Sequence, residues 1–389
     1  MTSLPLNGPA AAAQLPAAVL DVRELPPPSL PTAPESAGHA GGATFRRTGT
    51  PMSPNRGGST AAVLVTGAGG PAGIAVIRRL VALGQWVVAV DCDPAAAGGA
   101  LAHVSVTVPR ADDPAFLPAL LAVVAEHDVD ALIGTVAEEL PALARGGPLL
   151  AAAGVSSWFP DAAAVDVCCD KAAFADRMAD AGVPHPPTAS TVGGAAELPG
   201  PWIVKPREGR GSRGLQLLED RPAVVAAMAA DAGLIAQTRL AGREFTADAL
   251  VDRNGRLLTV VPRWRDETKA GISVKGTTFD SESVTALVAD ALAAVGLTGP
   301  ANVQGFVADD GTATVVEINP RFSGGLPLTL AAGADVVATY LAGIRGPEAD
   351  LPLLYFTPGV RMSRYFAETY TGPDGAPVAD PCAVLAVTP

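Results

Sequence analysis

Cysteine is scarce in this sequence of 389 residues, which contains only four. They are Cys92, Cys168, Cys169 and Cys382. Their spacing fits neither a disulfide framework nor a CxxC metal site. We therefore expect reduced thiols in a cytoplasmic protein, because disulfides persist mainly in oxidising compartments.

Long apolar runs and excess basic charge are also missing. The apolar stretches at 117–125 and 287–295 are shorter than the roughly 20 residues that a membrane-spanning helix needs. No basic segment followed by an apolar one marks a secretory signal. The formal net charge is −12, whereas a nucleic-acid partner requires a basic face. The sequence thus predicts neither a membrane nor a nucleic acid as partner.

Proline is concentrated at the start of the chain, where residues 1–60 hold ten of the 36 prolines. Such a segment buries too little apolar surface to offset its ordering entropy, so we predict a disordered tail at 1–60. From residue 61 onward, short apolar strands alternate with helical stretches, which predicts a parallel α/β sheet. From about residue 161 the pattern changes to hairpins and helices, typical of an α+β region.

A glycine-rich turn follows the first strand of the α/β region. It reads Gly67-x-Gly69-x-x-Ala72, and Asp91 ends the next strand. In a dinucleotide-binding fingerprint, such glycines let a pyrophosphate approach a helix N-terminus while the acid binds a ribose. Glycine is also common in tight strand-to-helix turns that bind nothing. An NAD(P)-dependent oxidoreductase that uses Gly67, Gly69 and Asp91 therefore stays an alternative.

Four later segments carry charged and amide side chains. They are Asp170-Lys171; Trp202-Ile-Val-Lys205-Pro206 with the glycine-rich loop up to Gly214; Gln237 through Glu244-Phe-Thr; and Asn302-Val-Gln304 with Val316-Glu317-Ile-Asn319-Pro-Arg321.

The last segment predicts a metal site. Side chains alternate along a strand, so Asn302 and Gln304 share one face, as do Glu317 and Asn319. Magnesium prefers oxygen ligands. The carboxylate of Glu317 and the amide oxygens of Gln304 and Asn319 suit one or two magnesium ions on a triphosphate. The alternative is the polar outer face of an exposed hairpin.

Lys205 and the glycine-rich loop after it predict a phosphate site. Lys205 lies in an apolar strand, where an ammonium group needs an anionic partner. The loop at 207–214 offers backbone N–H groups and arginines that could close on phosphates. The alternative is a mobile surface hairpin.

Together these segments resemble the ATP-grasp superfamily. The pairing of Asn302-Val-Gln304 with Glu317-Ile-Asn-Pro-Arg321 is most similar to the carbamoyl phosphate synthetase large chain. The segment from Gln237 to Glu244-Phe-Thr is also similar to D-alanine–D-alanine ligase. The resemblance implies a Rossmann-like pre-ATP-grasp domain at 61–155, followed by a two-part ATP-grasp fold. Its small lid domain would span 156–240, and its C-terminal metal-binding domain with an extension would span 241–389.

The resemblance also implies roles for individual residues, with ATP and Mg²⁺ (or Mn²⁺) as cofactors. The ATP phosphates would contact Lys171, Lys205, Arg207, Gly211, Ser212 and Gly214. Gln237 and Leu240 would contact the adenine and Glu244 the ribose, while Gln304, Glu317 and Asn319 would bind metal. Arg321, with Lys205, would stabilise the charge that develops during phosphoryl transfer. Gln237 stands where many relatives have a carboxylate, and Gln304 where some have an acid.

The substrates are the least defined part of the prediction. Arg263, Arg265 and Lys275 lie between the ribose and metal segments and could hold a substrate carboxylate; the alternative is a solvated hairpin. The favoured function is a ligase that activates a small carboxylate as an acyl phosphate and transfers it to an amine, releasing ADP and phosphate. A non-catalytic ATP-binding regulator is a second alternative, and a homodimer is left open.

Overall fold

The computed structural model describes residues 45–46, 61–209, 214–269, 271–373, 377–379 and 381. The predicted tail at 1–60 lies outside these ranges, except that Phe45–Arg46 forms a short strand, β1. No helix within the described ranges is long and apolar enough to cross a membrane.

A mostly parallel six-stranded sheet forms the N-terminal region, in the order β1-β4-β3-β2-β5-β6. Its further elements are β2 (Ala62–Thr66), α1 (Pro71–Ala82), β3 (Trp86–Asp91), β4 (Val104–Thr107), α2 (Phe116–His127), β5 (Val129–Ile133), α3 (Leu140–Ala152) and β6 (Ser156–Ser157). Only β1 runs antiparallel to its neighbour. The apolar strands predict this arrangement, because a parallel sheet is covered on both faces.

Alternate residues of these strands pack into two different cores. Val63 and Val65 face α1, and Phe322 and Tyr340 from the region of the third sheet belong to the same core. Leu64 faces α2 and α3 on the opposite side. The C-terminal region therefore covers one face of this sheet, on the side of α1.

The sequence does not predict helix α3, because Gly146, Gly147 and Pro148, which have low helix propensity, lie inside it. A Cβ atom on Gly146 would meet Leu117 Cδ1 of α2 at 2.7 Å. Glycine thus lets α2 and α3 approach closely, and this packing outweighs the low helix propensity of the segment.

A smaller antiparallel sheet follows, in the order β7-β10-β8-β9. Its region contains α4 (Ala162–Cys169), α5 (Lys171–Asp180), β7 (Thr188–Ala189), α6 (Val192–Glu197), β8 (Trp202–Pro206), β9 (Gln216–Leu218), α7 (Arg221–Ala230) and β10 (Leu234–Thr238). Asp170 caps α5 by accepting hydrogen bonds from the N–H groups of Ala172 and Ala173. This sheet has its own core, in which Trp202, Val204 and Ala236 pack against α6 and α7.

The third sheet is antiparallel, in the order β15-β14-β11-β12-β13-β16. Its region comprises β11 (Arg243–Val251), β12 (Leu257–Lys269), β13 (Ile272–Thr278), α8 (Glu282–Val295), β14 (Gly299–Val307), β15 (Ala313–Asn319), α9 (Leu326–Ala331), α10 (Val336–Arg345), β16 (Arg361–Ser363), and the separate pair β17 (Tyr370–Thr371) and β18 (Pro377–Val378). A turn with Asn254-Gly255, a pair that is typical of hairpins, joins β11 to β12, with Gly255 at φ 83°.

Candidate active site

One face of the large antiparallel sheet is polar, and the other packs on α8. Along β11, Phe245, Ala247 and Ala249 point into the apolar core with α8. The residues between them belong to the opposite face. Cross-strand register places Thr246 opposite Gln304, Asp248 opposite Asn302, Gln304 opposite Glu317, and Asn302 opposite Asn319. The predicted sharing of one face by Asn302, Gln304, Glu317 and Asn319 is therefore confirmed.

A β-bulge after Gln304 fixes the register of the candidate metal ligands. Gln304 pairs with Glu317, whereas the next residue, Gly305, pairs with Val315, so Val316 is the extra residue. A Cβ atom on Gly305 would meet the carbonyl oxygen of Thr314 at 2.4 Å, so only glycine fits there. Bulges next to functional sites re-aim side chains, and this one keeps Glu317 opposite Gln304.

Glu317, Asn319 and Arg321 form a chain of hydrogen bonds at the end of β15. Asn319 Nδ2 donates to Glu317 Oε1 at 3.2 Å. Arg321 Nη2 donates to Asn319 Oδ1 at 3.2 Å, and its Nη1 donates to the carbonyl of Phe322 at 2.9 Å. Carboxylate and amide oxygens are the donors that magnesium takes, so the side chains present fit the implied ion.

The described residues contain no group of three or more His, Cys, Asp or Glu side chains able to hold a metal ion. A site that consists of one carboxylate and two amides is consistent with this finding. ATP phosphates would have to supply much of the coordination, as is common for magnesium.

Arg265 connects the predicted ribose residue to the predicted metal ligands. It forms an ion pair with Glu244, and its Nη1 also donates to Gln304 Oε1 at 3.2 Å. Its Nη2 donates to the carbonyl of Gly271 at 3.0 Å. From the sequence we expect Arg265 to hold a substrate carboxylate together with Arg263 and Lys275. In the structure it instead orients two residues of the candidate nucleotide site.

Lys205 in β8 and Lys171 at the start of α5 belong to the region of the small antiparallel sheet. Burial lowers the pKa of Lys205 to about 8; the negative charge of Glu317 opposes this shift, and the positive charge of Lys171 adds to it. Glu317 is therefore close enough to act on Lys205. Within the described ranges no carboxylate forms an ion pair with Lys205. A buried ammonium group of this kind is stabilised when an anionic ligand binds beside it.

The base of the glycine-rich loop is tied to the start of α5. Lys171 Nζ donates to the carbonyl oxygen of Gly209 at 2.9 Å. The backbone N–H of Lys171 donates to the carbonyl oxygen of Arg207 at 3.0 Å. Arg207 forms an ion pair with Asp170 at 2.5 Å. Asp170 thus holds Arg207 at the base of the loop, and the phosphate contact of Arg207 stays a prediction. Gly214 has a φ of 70°, while Gly211 and Ser212 lie outside the described residues.

The predicted adenine residues lie where the small sheet leads into the large one. Gln237 is buried in β10, and its Nε2 donates to Thr188 Oγ1 at 2.9 Å. Leu240 is half-buried in the connection between β10 and β11. Both residues remain predictions for adenine contact, and the position between two sheets suits an extended nucleotide.

The other two predicted substrate residues, Arg263 and Lys275, are each paired with a carboxylate. Arg263 is only 3% exposed and pairs with Asp248 at 2.5 Å. Asp248 also accepts from Asn302 at 3.2 Å and from Thr329 at 2.6 Å. The buried network of these four residues is structural, which corrects the substrate assignment of Arg263. Lys275 pairs instead with Glu267 at 2.7 Å, and both side chains are exposed.

The glycine motif of the N-terminal sheet builds its own turn. Asp91 Oδ2 accepts from the N–H of Gly69 at 2.7 Å, and Oδ1 accepts from that of Asp93 at 3.0 Å. A Cβ atom on Gly73 would meet the carbonyl oxygen of Gly67 at 2.1 Å. Close backbone packing therefore explains the glycines, and the Asp91 carboxylate is engaged by the turn. These contacts disfavour the alternative of a dinucleotide site.

The lowered pKa of Lys205 predicts a pH-dependent ATP affinity. Lys205 carries its charge only below about pH 8, so the affinity measured by calorimetry should be about tenfold lower at pH 9 than at pH 7. The same shift means that the folded protein binds fewer protons than the unfolded chain between about pH 8 and the usual lysine pKa. This group therefore makes folding more favourable as pH rises through that window.

Lys205→Arg is the matched control for this pH dependence. A guanidinium stays charged at pH 9, so the variant should lose the decline even if its absolute affinity is lower. An equal decline in both proteins would show that another group titrates.

Asp248→Ala is expected to destabilise the protein by about 3–5 kcal/mol, because it leaves the buried Arg263 without its counter-charge. Denaturant unfolding measures this loss. Asp266→Ala serves as control, since Asp266 pairs with an exposed Arg243 and its removal should cost less than about 1 kcal/mol. Equal losses in the two variants would contradict a special role for the buried network.

Two family models match separate parts of the chain that forms these three sheets. Residues 231–364 match a family model described as ATP-grasp in the biosynthetic pathway with Ter operon. Residues 63–157 match the PylC-like N-terminal domain. The chain thus has an ATP-grasp fold preceded by a PylC-like domain, which confirms the predicted fold class and the ATP-grasp resemblance. The matches also support the expected enzyme class.

Solved structures with the same fold have low sequence identity to this chain. Biotin carboxylase from Campylobacter jejuni superimposes with a TM-score of 0.61 at 18% identity, over 76% of this chain and 73% of that one. An L-amino acid ligase from Bacillus licheniformis gives 0.59 at 17%, over 74% and 75%. N5-carboxyaminoimidazole synthetase from Staphylococcus aureus, complexed with ADP, gives 0.60 at 17%, over 76% and 80%. None of the curated protein sequences compared with the chain matches it.

Proposed function

We propose that the protein is a magnesium- and ATP-dependent ligase that activates a small carboxylate as an acyl phosphate and transfers the acyl group to an amine. The observation that carries this proposal is the register of β14 and β15. It places Gln304 beside Glu317 on the polar face. Lys205 of β8 lies near enough to Glu317 for its negative charge to raise the pKa of the lysine. Cationic and oxygen-donor side chains thus face one another where a triphosphate would lie.

Different polar side chains would bind the phosphates, the ribose, the magnesium and the transferred phosphoryl group. Lys205 would hold ATP phosphates, and Glu244, oriented by Arg265, would bind the ribose hydroxyls. Glu317, Asn319 and Gln304 would hold magnesium, which supplies charge neutralisation on the phosphate oxygens. Arg321 extends from the same strand end, where it would stabilise negative charge on the transferred phosphoryl group.

The proposed reaction has two steps. In the first, a carboxylate oxygen forms a bond to the γ-phosphorus of ATP while the bond to the β,γ-bridging oxygen breaks, so ADP leaves. In the second, the amine nitrogen attacks the acyl carbon and loses a proton, and phosphate leaves with the oxygen that came from the carboxylate. The protein's contribution is positioning and electrostatic stabilisation.

Two of the similar solved structures support this class of reaction by their names. One is an L-amino acid ligase, and the other is a synthetase complexed with ADP. At 17% identity each shares the fold of this chain, so its substrates are not transferred to it. We propose only the shared chemistry of a small-molecule carboxylate and amine.

A screen for ADP release across amino acids and small carboxylic acids tests the proposal. With the true acid, ATP and hydroxylamine, we expect a hydroxamate, and ¹⁸O from a labelled carboxylate should appear in phosphate. AMP and pyrophosphate as products would contradict an acyl phosphate. ATP binding without turnover would favour a regulator, and an absorbance change of a nicotinamide would favour an oxidoreductase.

We also propose that the protein acts in the cytoplasm, where ATP is abundant and its thiols would stay reduced. Cys92, Cys168 and Cys169 are free. Light scattering would decide whether it works as a monomer or as a homodimer.

A further inference from the structure

Strand β16 is an open edge of the large antiparallel sheet. The strand order ends with β13 and β16, and none of the described residues pairs with the outer side of β16. The backbone N–H of Arg364 donates to the carbonyl oxygen of Val274 at 2.9 Å, so the backbone groups of Arg364 point towards β13. The direction of these groups alternates along a strand, so Arg361 and Ser363 direct their N–H and C=O groups away from β13. This edge can therefore accept a further strand.

Two exposed aromatic residues follow this edge directly. The side chains of Tyr365 and Phe366 are 87% and 90% exposed, more than any other large apolar side chain among the described residues. No proline lies between Arg361 and Thr371, and the pairing of β16 with β13 contains no bulge. Monomeric proteins commonly protect an open edge with prolines, bulges or a covering segment. An unprotected edge followed by exposed aromatic residues instead indicates a surface that a partner covers.

The size of the exposed aromatic surface suits a second copy of the chain. Tyrosine and phenylalanine bury roughly 150–250 Å² each, so Tyr365 and Phe366 of two copies would bury roughly 600–1,000 Å². A stable interface between proteins buries about 1,200–2,000 Å² in total. The aromatic residues would thus supply about half of such an interface, and the paired strands would supply the rest.

The alternation along the edge restricts how two copies can pair. Hydrogen-bonded positions must face each other, so a two-fold axis passes through a residue whose backbone groups point outward. An axis at Tyr365, the next such position after Ser363, brings the aromatic residues of the two copies together at the centre. Three further pairs of residues then lie opposite one another in the two copies: Arg364 and Phe366, Ser363 and Ala367, and Met362 and Glu368. No like charges face each other directly, and an arginine beside an aromatic ring is a favourable contact.

We infer that the protein forms a dimer in which β16 and the residues up to Thr369 pair antiparallel with the same segment of a second copy. The two large sheets then form one continuous sheet across a two-fold axis at Tyr365. The outward N–H and C=O groups of the edge become hydrogen-bonded, and Tyr365 and Phe366 are removed from water. The interface uses none of the residues of the proposed reaction, so its test requires no substrate.

Sedimentation and light scattering of the full chain test the interface. We expect twice the mass of one chain, which is 39.0 kDa. Tyr365→Asp combined with Phe366→Asp should raise the dissociation constant of the dimer at least about 30-fold, because buried aromatic residues dominate interface energies. Circular dichroism verifies that this double variant stays folded. Leu149→Asp, which changes an exposed leucine on α3, is the control and should leave the dimer unchanged.

Engineered disulfides test the register. Directly opposite residues of a hydrogen-bonded pair have Cα atoms about 5.5 Å apart, a distance that a disulfide can bridge. With oxidised glutathione, Tyr365→Cys should therefore link to itself across the axis. Ser363→Cys and Ala367→Cys should not link to themselves, but they should link to each other when the two variants are mixed. Peptide mass spectrometry separates these links from any that involve the exposed Cys92.

Three results would overturn the inference. The first is a wild-type chain that stays monomeric at high concentration. The second is a dimer that Tyr365→Asp with Phe366→Asp does not weaken, since this would place the interface elsewhere. The third is a dimer in which Ser363→Cys links to itself and Tyr365→Cys does not, because the axis would then lie at a different residue.

Discussion

Glu317→Gln is expected to reduce ADP release by about 10³-fold or more while leaving the fold intact. Glu317 is the only carboxylate among the three proposed metal ligands, and its amide replacement cannot neutralise a divalent cation between ATP oxygens. The side chain is half-buried beside Asn319, so the isosteric change preserves its packing. Steady-state turnover and thermal melting measure the two effects.

The control for this variant is Glu267→Gln, which removes an exposed carboxylate paired with Lys275 on the β12–β13 hairpin. It should retain normal turnover. A folded Glu317→Gln protein with nearly unchanged ADP release would contradict the metal assignment. Recovery of activity at a higher magnesium concentration would indicate that Glu317 contributes affinity alone.

Arg321→Ala should lower turnover by about 10²–10³-fold with ATP affinity largely kept. A cation that meets the transferred phosphoryl group acts mainly in the transition state, so its loss affects kcat more than binding. In the structure Arg321 donates hydrogen bonds to Asn319 Oδ1 and to the carbonyl of Phe322, which fix its side chain at the end of β15.

Arg321→Lys tests whether charge alone is sufficient. A lysine keeps the charge but cannot make both of these hydrogen bonds in the same geometry, so we expect only partial recovery. Equal losses of ATP affinity and turnover in Arg321→Ala would reassign Arg321 to contact with the bound nucleotide. Measurement of ATP affinity by calorimetry beside kcat distinguishes the two roles.

The strand patterns gave reliable information wherever a side chain's direction follows from its position in the chain. The alternation of Asn302 with Gln304 and of Glu317 with Asn319 predicted their common face. Lys205 was predicted to need an anionic partner because apolar residues flank it, and its lowered pKa reflects that burial.

Long-range contacts explain why Arg263 is not a substrate residue. Arg263 was grouped with Arg265 and Lys275 because the three are close in sequence. Arg263 and Arg265 are two residues apart on β12 and therefore share its polar face, whereas a β-bulge between Arg265 and Glu267 shifts the pairing with β13. On that face Asp248 holds Arg263 in a buried ion pair, whereas Arg265 pairs with Glu244; Lys275 pairs with Glu267 on the exposed hairpin.

The sequence by itself determined the order of the α/β and α+β regions, the shared face of the metal ligands and the ATP-grasp resemblance, because these depend on local periodicity and on motifs. Only the tertiary structure decided which cations are free to meet a ligand. Asp248 neutralises Arg263 and itself accepts a hydrogen bond from Thr329, 81 residues away, and Arg364 donates to the carbonyl of Gly324 across 40 residues. Charge compensation depends on distances in space, and the spacing of residues along the chain does not encode those distances.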